Sequence, residues 1–326
     1  MAEMTPEKMQ AQEEANQRTD WERQRLEYYL GLRYSFNPIN VDYWLDSLFD
    51  QQKQVYKPRK NPSWNQIRKD AGIGLWDNFW AFTSEEKKKE VEKKKAASKA
   101  KLQAEVDEYN AAESNRCDAY NTRLRERLVS KLNRFTSHSP EEVEEFFTFA
   151  LNQDDFALDG RSYYFNFNLI YDPEKQQLVI DYKLPLMDQV SRIKEWRVDK
   201  DSNIVPKEMN KMDYLAMYER VLMDLSMRTI GMLFESDSNN VLSSIVFNGS
   251  CLYNDWQKLP TILLSFIFPK SQYSYDRICR MDCSSKEEIA KLKEVNYLDD
   301  IRSPKAAADL WDTPPVKQVM PIRSSF

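Results

Sequence analysis

From Thr83 to Ser139 the chain contains neither proline nor glycine, and this limits its possible folds more than any other feature. Proline removes a backbone donor and glycine loosens a helix, so this run is free to stay helical from end to end. Thr83 followed by Glu86 is a capping box, in which hydroxyl and carboxylate each satisfy a backbone donor of the first turn. Apolar or semi-apolar residues recur mostly three or four apart, at Leu102, Val106, Tyr109, Cys117, Tyr120, Leu124, Leu128, Leu132 and Phe135. About 50 helical residues would extend roughly 75 Å. Such a helix is expected to bury its stripe only against another helix, in cis or from a second copy of the chain. Leu102, Val106, Tyr109, Tyr120, Leu124, Leu128 and Leu132 are therefore the candidate oligomerisation residues. Before Leu102 the lysine runs read as a solvated stalk.

The flanks differ in kind. Residues 1–30 read as a charged helix with Trp21, Leu26, Tyr29 and Leu30 as apolar points, and Asn40 can cap a short helix carrying Tyr43, Trp44, Leu45, Leu48 and Phe49. Beyond the long helix, Ser139, Pro140 and Glu142 predict an N-cap, and residues 162–184 alternate as a β-hairpin around Asp172-Pro173-Glu174-Lys175. One or two short strands are expected from Trp196 to Val205, around the turn Asp199 to Asn203. An amphipathic helix from Pro206 to Phe234 and strands at Leu242–Phe247 and Pro260–Phe268 follow, then a weakly helical polar tail. The fold class is α+β: a helical, coiled-coil-like N-terminal half, then a mixed domain with a hairpin, a long amphipathic helix and two further strands. The segments are 1–82, 83–136, 137–302 and a proline-rich extended tail 303–326, with a boundary near residue 137.

Composition removes most enzyme classes. Six glycines in 326 residues leave no glycine-rich phosphate loop, and a single histidine, His138, cannot build a histidine-rich metal site. His138 precedes a helix cap and reads as a solvated loop residue. Cys279 and Cys283 make half a metal site, and no resident metal or cofactor is expected. The one catalytic constellation is Asp172, Asp181 and Lys183. Asp181-Tyr182-Lys183 on the second hairpin strand matches the D/E-x-K of magnesium-dependent PD-(D/E)xK nucleases, in which carboxylates hold Mg²⁺ and the lysine activates water. Acid–base alternation on an exposed strand face explains the same residues structurally.

Charge is more telling. The segment Lys53–Lys101 holds 14 basic and 6 acidic residues, +8 within a chain of -5. Arg59, Lys60, Arg68, Lys69, Lys87, Lys88 and Lys89, interleaved with Trp64, Trp76 and Trp80, suit phosphate tracking with ring stacking, or a protein partner. A lysine-rich solvated helix beside an aromatic mini-core is the competing reading. The longest apolar run, within Leu259–Phe268, falls short of the ~20 residues that span a bilayer, and the N-terminus reads as no signal peptide. A cytoplasmic chain with no membrane partner is expected, with reduced Cys117, Cys251, Cys279 and Cys283.

The segments EEVEEFFTFAL (Glu141 to Leu151), FNFNLIYDPEKQQLVIDYKLP (Phe165 to Pro185) and KEWRVDKDSNIV (Lys194 to Val205) carry a resemblance. YERVLMDLSMRTIGMLFESD (Tyr218 to Asp237) and SIVFNGS (Ser244 to Ser250) continue it in order, within a match of about 200 residues that starts at Glu105. From Glu105 onward the chain resembles the region preceding the nuclease domain in Mrr-type restriction-endonuclease-related proteins of bacterial phage defence. The family pattern places an acidic residue where this chain has Lys183, which implies a structural hairpin. No nuclease segment follows that region here, so the effector is expected on another polypeptide encoded nearby. The resemblance implies a non-catalytic sensor, adaptor or scaffold that forms homo-oligomers and binds an effector, DNA or RNA. A magnesium-dependent nuclease and a purely structural assembly component are the alternatives.

Overall fold

The computed structural model of the protein describes residues 6–74, 77, 84–153, 157–158, 161–162, 166–251, 261–280 and 284–297. Trp76, Trp80, Thr83, Cys283 and the segment 303–326 lie outside the described residues. Helices α1 (Pro6–Leu30), α2 (Val41–Gln52) and α3 (Trp64–Asp70) precede the predicted long helix. That run is one element, α4 (Glu85–Thr136), ~78 Å long. Asn40 caps α2 as expected, its Oδ1 accepting from the Tyr43 amide at 2.8 Å.

Helix α5 (Pro140–Asn152) starts at the predicted Ser139–Pro140 signal. The cap is made between side chains: Ser139 Oγ donates to Glu142 Oε2 at 2.5 Å, and Arg134 pairs with the other oxygen at 2.7 Å. Burial pushes the Glu142 carboxyl up, but the Ser139 hydroxyl and the Arg134 guanidinium outweigh it and hold the group below its usual range. The charge is thereby kept on a buried side chain.

Among the described residues a five-stranded sheet follows, in the order β3 (Phe167–Asp172), β4 (Gln177–Lys183), β7 (Ser244–Cys251), β8 (Thr261–Pro269) and β9 (Val295–Tyr297). The short pair β1 (Ala157–Leu158) and β2 (Arg161–Ser162) precedes it. The predicted hairpin is β3 (Phe167–Asp172) and β4 (Gln177–Lys183), and Asp172 Oδ1 accepts the amides of Glu174 and Lys175 to make its turn. A second hairpin, β5 (Ile193–Val198) and β6 (Ile204–Glu208), turns at Asp199 as expected. Pro206 lies in β6, in register with Trp196, so the next helix, α6 (Lys211–Ser236), begins five residues later than the sequence pattern suggests. Asn210 caps it, accepting from Asp213. This helix crosses over to bring β7 (Ser244–Cys251) parallel to β4. β8 (Thr261–Pro269) pairs antiparallel to β7, and after the short helix α7 (Ser285–Ala290) a strand the sequence did not signal, β9 (Val295–Tyr297), pairs with β8.

One face of the sheet carries the aromatic core, while Val179 and Val246 are buried on the other. Tyr182, Phe247 and Phe266 line up across three strands at centroid spacings of 5.5 Å, and Phe234 of α6 meets Phe268. Cys251 is fully buried there, and burial pushes its thiol up to about 12, well out of the reactive range.

The chain forms two compact units, residues 1–44 with 131–326, and residues 45–130. The division therefore does not fall at residue 137. The N-terminal segment belongs to the sheet's unit because it is stitched to the β5–β6 hairpin and to α6. Thr19 and Trp196 exchange hydrogen bonds, Ile39 donates to Ser236, and Arg228 Nη2 reaches the Ser35 carbonyl at 2.5 Å. Phe36 packs so closely on α6 that a Cβ at Gly231 would lie 2.9 Å from its ring. Trp44, Phe135, Phe146 and Phe147 form a continuous aromatic cluster.

Candidate nucleic-acid interface

The unit 45–130 is built on α4, and the period of its covered stripe is eleven. Val91, Leu102, Glu113 and Leu124 recur at that interval, as do Lys95, Val106, Cys117 and Leu128, all buried or half-buried. Eleven residues make three helical turns to within about 20°, so the stripe runs almost parallel to the helix axis. A straight stripe suits a straight partner, and within this unit residues 53–62 supply one as an extended strap.

Two asparagines clamp it. Asn121 donates to the Gln54 carbonyl and accepts from its amide, both at 2.9 Å. Asn110 does the same to Arg59, at 3.4 and 2.8 Å. The spacings match: eleven helical residues rise ~16.5 Å, and the five strap residues from Gln54 to Arg59 span ~16.5 Å extended. Each side-chain amide acts on the strap as a neighbouring strand would. Beyond the strap, Ser98 Oγ donates to the Ile67 carbonyl and to Asp70, and Lys101 pairs with Asp70 at 2.9 Å. Those contacts, with Lys101 first, hold the Asp70 carboxyl below its usual range.

The predicted stripe is thus largely covered within one chain. Leu124 and Cys117 are buried, Leu102, Val106, Tyr120, Leu128 and Leu132 are half-buried, and Tyr109 is 37% exposed. An extended segment does for α4 part of what a second helix was expected to do. Replacing both Asn110 and Asn121 with alanine should cost about 1–2 kcal/mol for each asparagine and release the strap. Hydrogen exchange at the Gln54 and Arg59 amides would report it; unchanged protection would contradict the clamp.

The predicted basic residues stand on the outside of this assembly. Arg59, Lys60, Trp64, Lys69, Lys87, Lys88 and Lys89 are exposed and Arg68 is half-buried. Lys87 pairs with Glu90 at 3.4 Å; among the described residues no ion pair is made by Lys60, Lys69, Lys88 or Lys89. Over the 86 residues of the unit, 18 basic and 14 acidic side chains leave +4, so the rest of the chain carries -9.

The predicted catalytic residues do not converge. Asp172 pairs in register with Gln177, four residues along β4 from Asp181, which places it ~13 Å away at 3.3 Å per residue. Asp172 is engaged in its turn and with Lys175. Asp181 accepts from Asn248 Nδ2 at 2.9 Å, and Ser265 Oγ donates to Asn248 Oδ1 at 2.7 Å, a polar row across three strands. Lys183 shares that face at the exposed end of β4. His138 takes a left-handed backbone (φ 60°) and its Nδ1 lies 2.9 Å from the Tyr171 hydroxyl, so it is a packed turn residue.

Sequence reasoning also missed a charged cluster beside α6. Ser285 Oγ lies 2.5 Å from buried Asp224 and 3.3 Å from Arg33, and Lys286 pairs with buried Glu219. Burial raises the Asp224 carboxyl against the pull of Ser285, Arg33 and Arg220. A cavity of about 340 Å³ opens there, and its charges pair within the chain. No family model, curated protein or solved structure matches the chain.

Proposed function

We propose that the chain is a non-catalytic adaptor or scaffold of a bacterial antiphage defence system, holding nucleic acid on its basic arm and serving an effector encoded nearby. The observation that carries this reading is the clamped strap. It holds the backbone that carries Lys57, Arg59 and Lys60 along α4, so that stretch of chain is already ordered before a polyanion arrives. The quoted resemblance supplies the defence context. Titration of a labelled duplex at 50 mM salt tests the arm. Saturable binding is expected; none, with the protein folded, would assign the lysines to solubility.

Self-assembly belongs to the same reading, carried by the distal part of the stripe. Tyr120, Leu128 and Leu132 are half-buried there and Val129 is 58% exposed. Light scattering should give a mass above the 38.7 kDa monomer, and the monomer mass at micromolar concentration would remove assembly from the account.

A magnesium-dependent nuclease remains the second reading, favoured by Asp181 and Lys183 sharing a sheet face beside Asn248. The separation of Asp172 weighs against it. We expect no DNA cleavage in Mg²⁺. Cleavage that Asp181→Ala abolishes without disturbing the fold would reverse the order of the two readings.

A further inference from the structure

Along the basic arm, two cation–ring pairs bracket one groove. At one end Lys95 Nζ lies 4.9 Å from the ring centroid of Trp64, a residue 56% exposed. At the other, the Arg59 guanidinium sits 3.5 Å from the centroid of Tyr109. Lys95 and Tyr109 are ~21 Å apart along α4 at 1.5 Å per residue. Between them Leu102, Val106 and Pro62 line a groove of about 540 Å³, with Lys60 and Glu105 on its walls.

We infer that this track binds single-stranded nucleic acid, a run of a few nucleotides whose unstacked bases occupy the groove and lie on its two ring platforms. The inference rests on the proposed nucleic-acid role of the arm and adds the kind of strand and the residues that read it. A duplex hides its base faces and offers this surface only phosphates. A single strand offers both phosphates, for Lys60 and the neighbouring lysines, and apolar faces for Trp64, Tyr109 and the groove. The Glu105 carboxylate can accept from the amino group of adenine, cytosine or guanine, which uracil and thymine lack. A second copy of the chain is the poorer occupant, because it would bring the same +8 segment against itself. Leu102, Val106 and Tyr109 are thereby assigned to the ligand rather than to self-assembly.

The test compares one labelled mixed-sequence single strand with its duplex, on the full-length protein. The single strand should bind more tightly. Trp64→Ala and Tyr109→Ala should each weaken it about fivefold to a hundredfold, with duplex binding unchanged. Tyr109→Phe keeps the ring and should restore single-strand affinity, which separates stacking from damage to the fold. If both ring variants bind the single strand like the parent while Lys87, Lys88 and Lys89→Gln weakens both ligands, the track is overturned and the phosphate-binding arm stands. If the parent binds neither ligand, both fail.

Discussion

Phe146→Ala should remove about 3–5 kcal/mol of stability, a large share of the ~5–15 kcal/mol that holds a typical domain together. The ring is fully buried and meets Phe147, Phe135 and Trp44 at centroid distances of 5.0, 5.1 and 5.6 Å. Those neighbours come from three helices, α5, the end of α4 and α2. None can follow the missing ring inward without pulling its helix along, so a cavity remains. Chemical denaturation would show the midpoint falling with little change in slope. A loss under 1 kcal/mol would mean that the cluster collapses freely and does not fix these helices.

Leu124→Asp should be comparably severe, and its outcome discriminates between two roles for α4. The apolar periodicity alone places Leu124 in a seam between chains, where a charge would split an oligomer and leave the subunit folded. Its 3% exposure within a single chain says otherwise. An aspartate there loses the buried isobutyl group and gains an unpaired carboxylate, together at least about 3 kcal/mol. Amide protection should fall throughout residues 85–130 of α4 at any protein concentration. A variant that keeps native protection and only loses mass would return Leu124 to an intermolecular interface.

Much of the fold is legible where one residue type has one local job. Asn40, Asp172 and Asp199 mark caps and turns because short polar side chains satisfy nearby backbone donors, and Pro140 marks a helix start because it lacks an amide the first turn would leave unpaired. What the sequence conceals is long-range. Asn110 and Asn121 read as solvent-facing polar positions of a charged helix, since scoring apolar residues at three- and four-residue steps ignores them. Their spacing of eleven, repeated by Val91, Leu102 and Leu124, is the signal that could have found the strap. Residues 1–44 carry no mark that ties Thr19 to Trp196 or Phe36 to Gly231, because such pairs arise only once the chain has folded back. Asp181 and Lys183 keep their predicted strand, but register, which local sequence does not encode, sets Asp172 apart.

The salt dependence of duplex binding by the full-length protein tests the central claim most directly. A basic arm of exposed lysines should bind mainly by displacing counterions, and neutralising ~4 phosphates gives a log–log slope near -3.6. Exchanging Lys87, Lys88 and Lys89 for glutamine should flatten that slope by up to about 2.7, since each exposed lysine removed leaves one phosphate unneutralised. A slope near zero in the parent protein, or one untouched by the triple exchange, would contradict the assignment of this arm to nucleic acid.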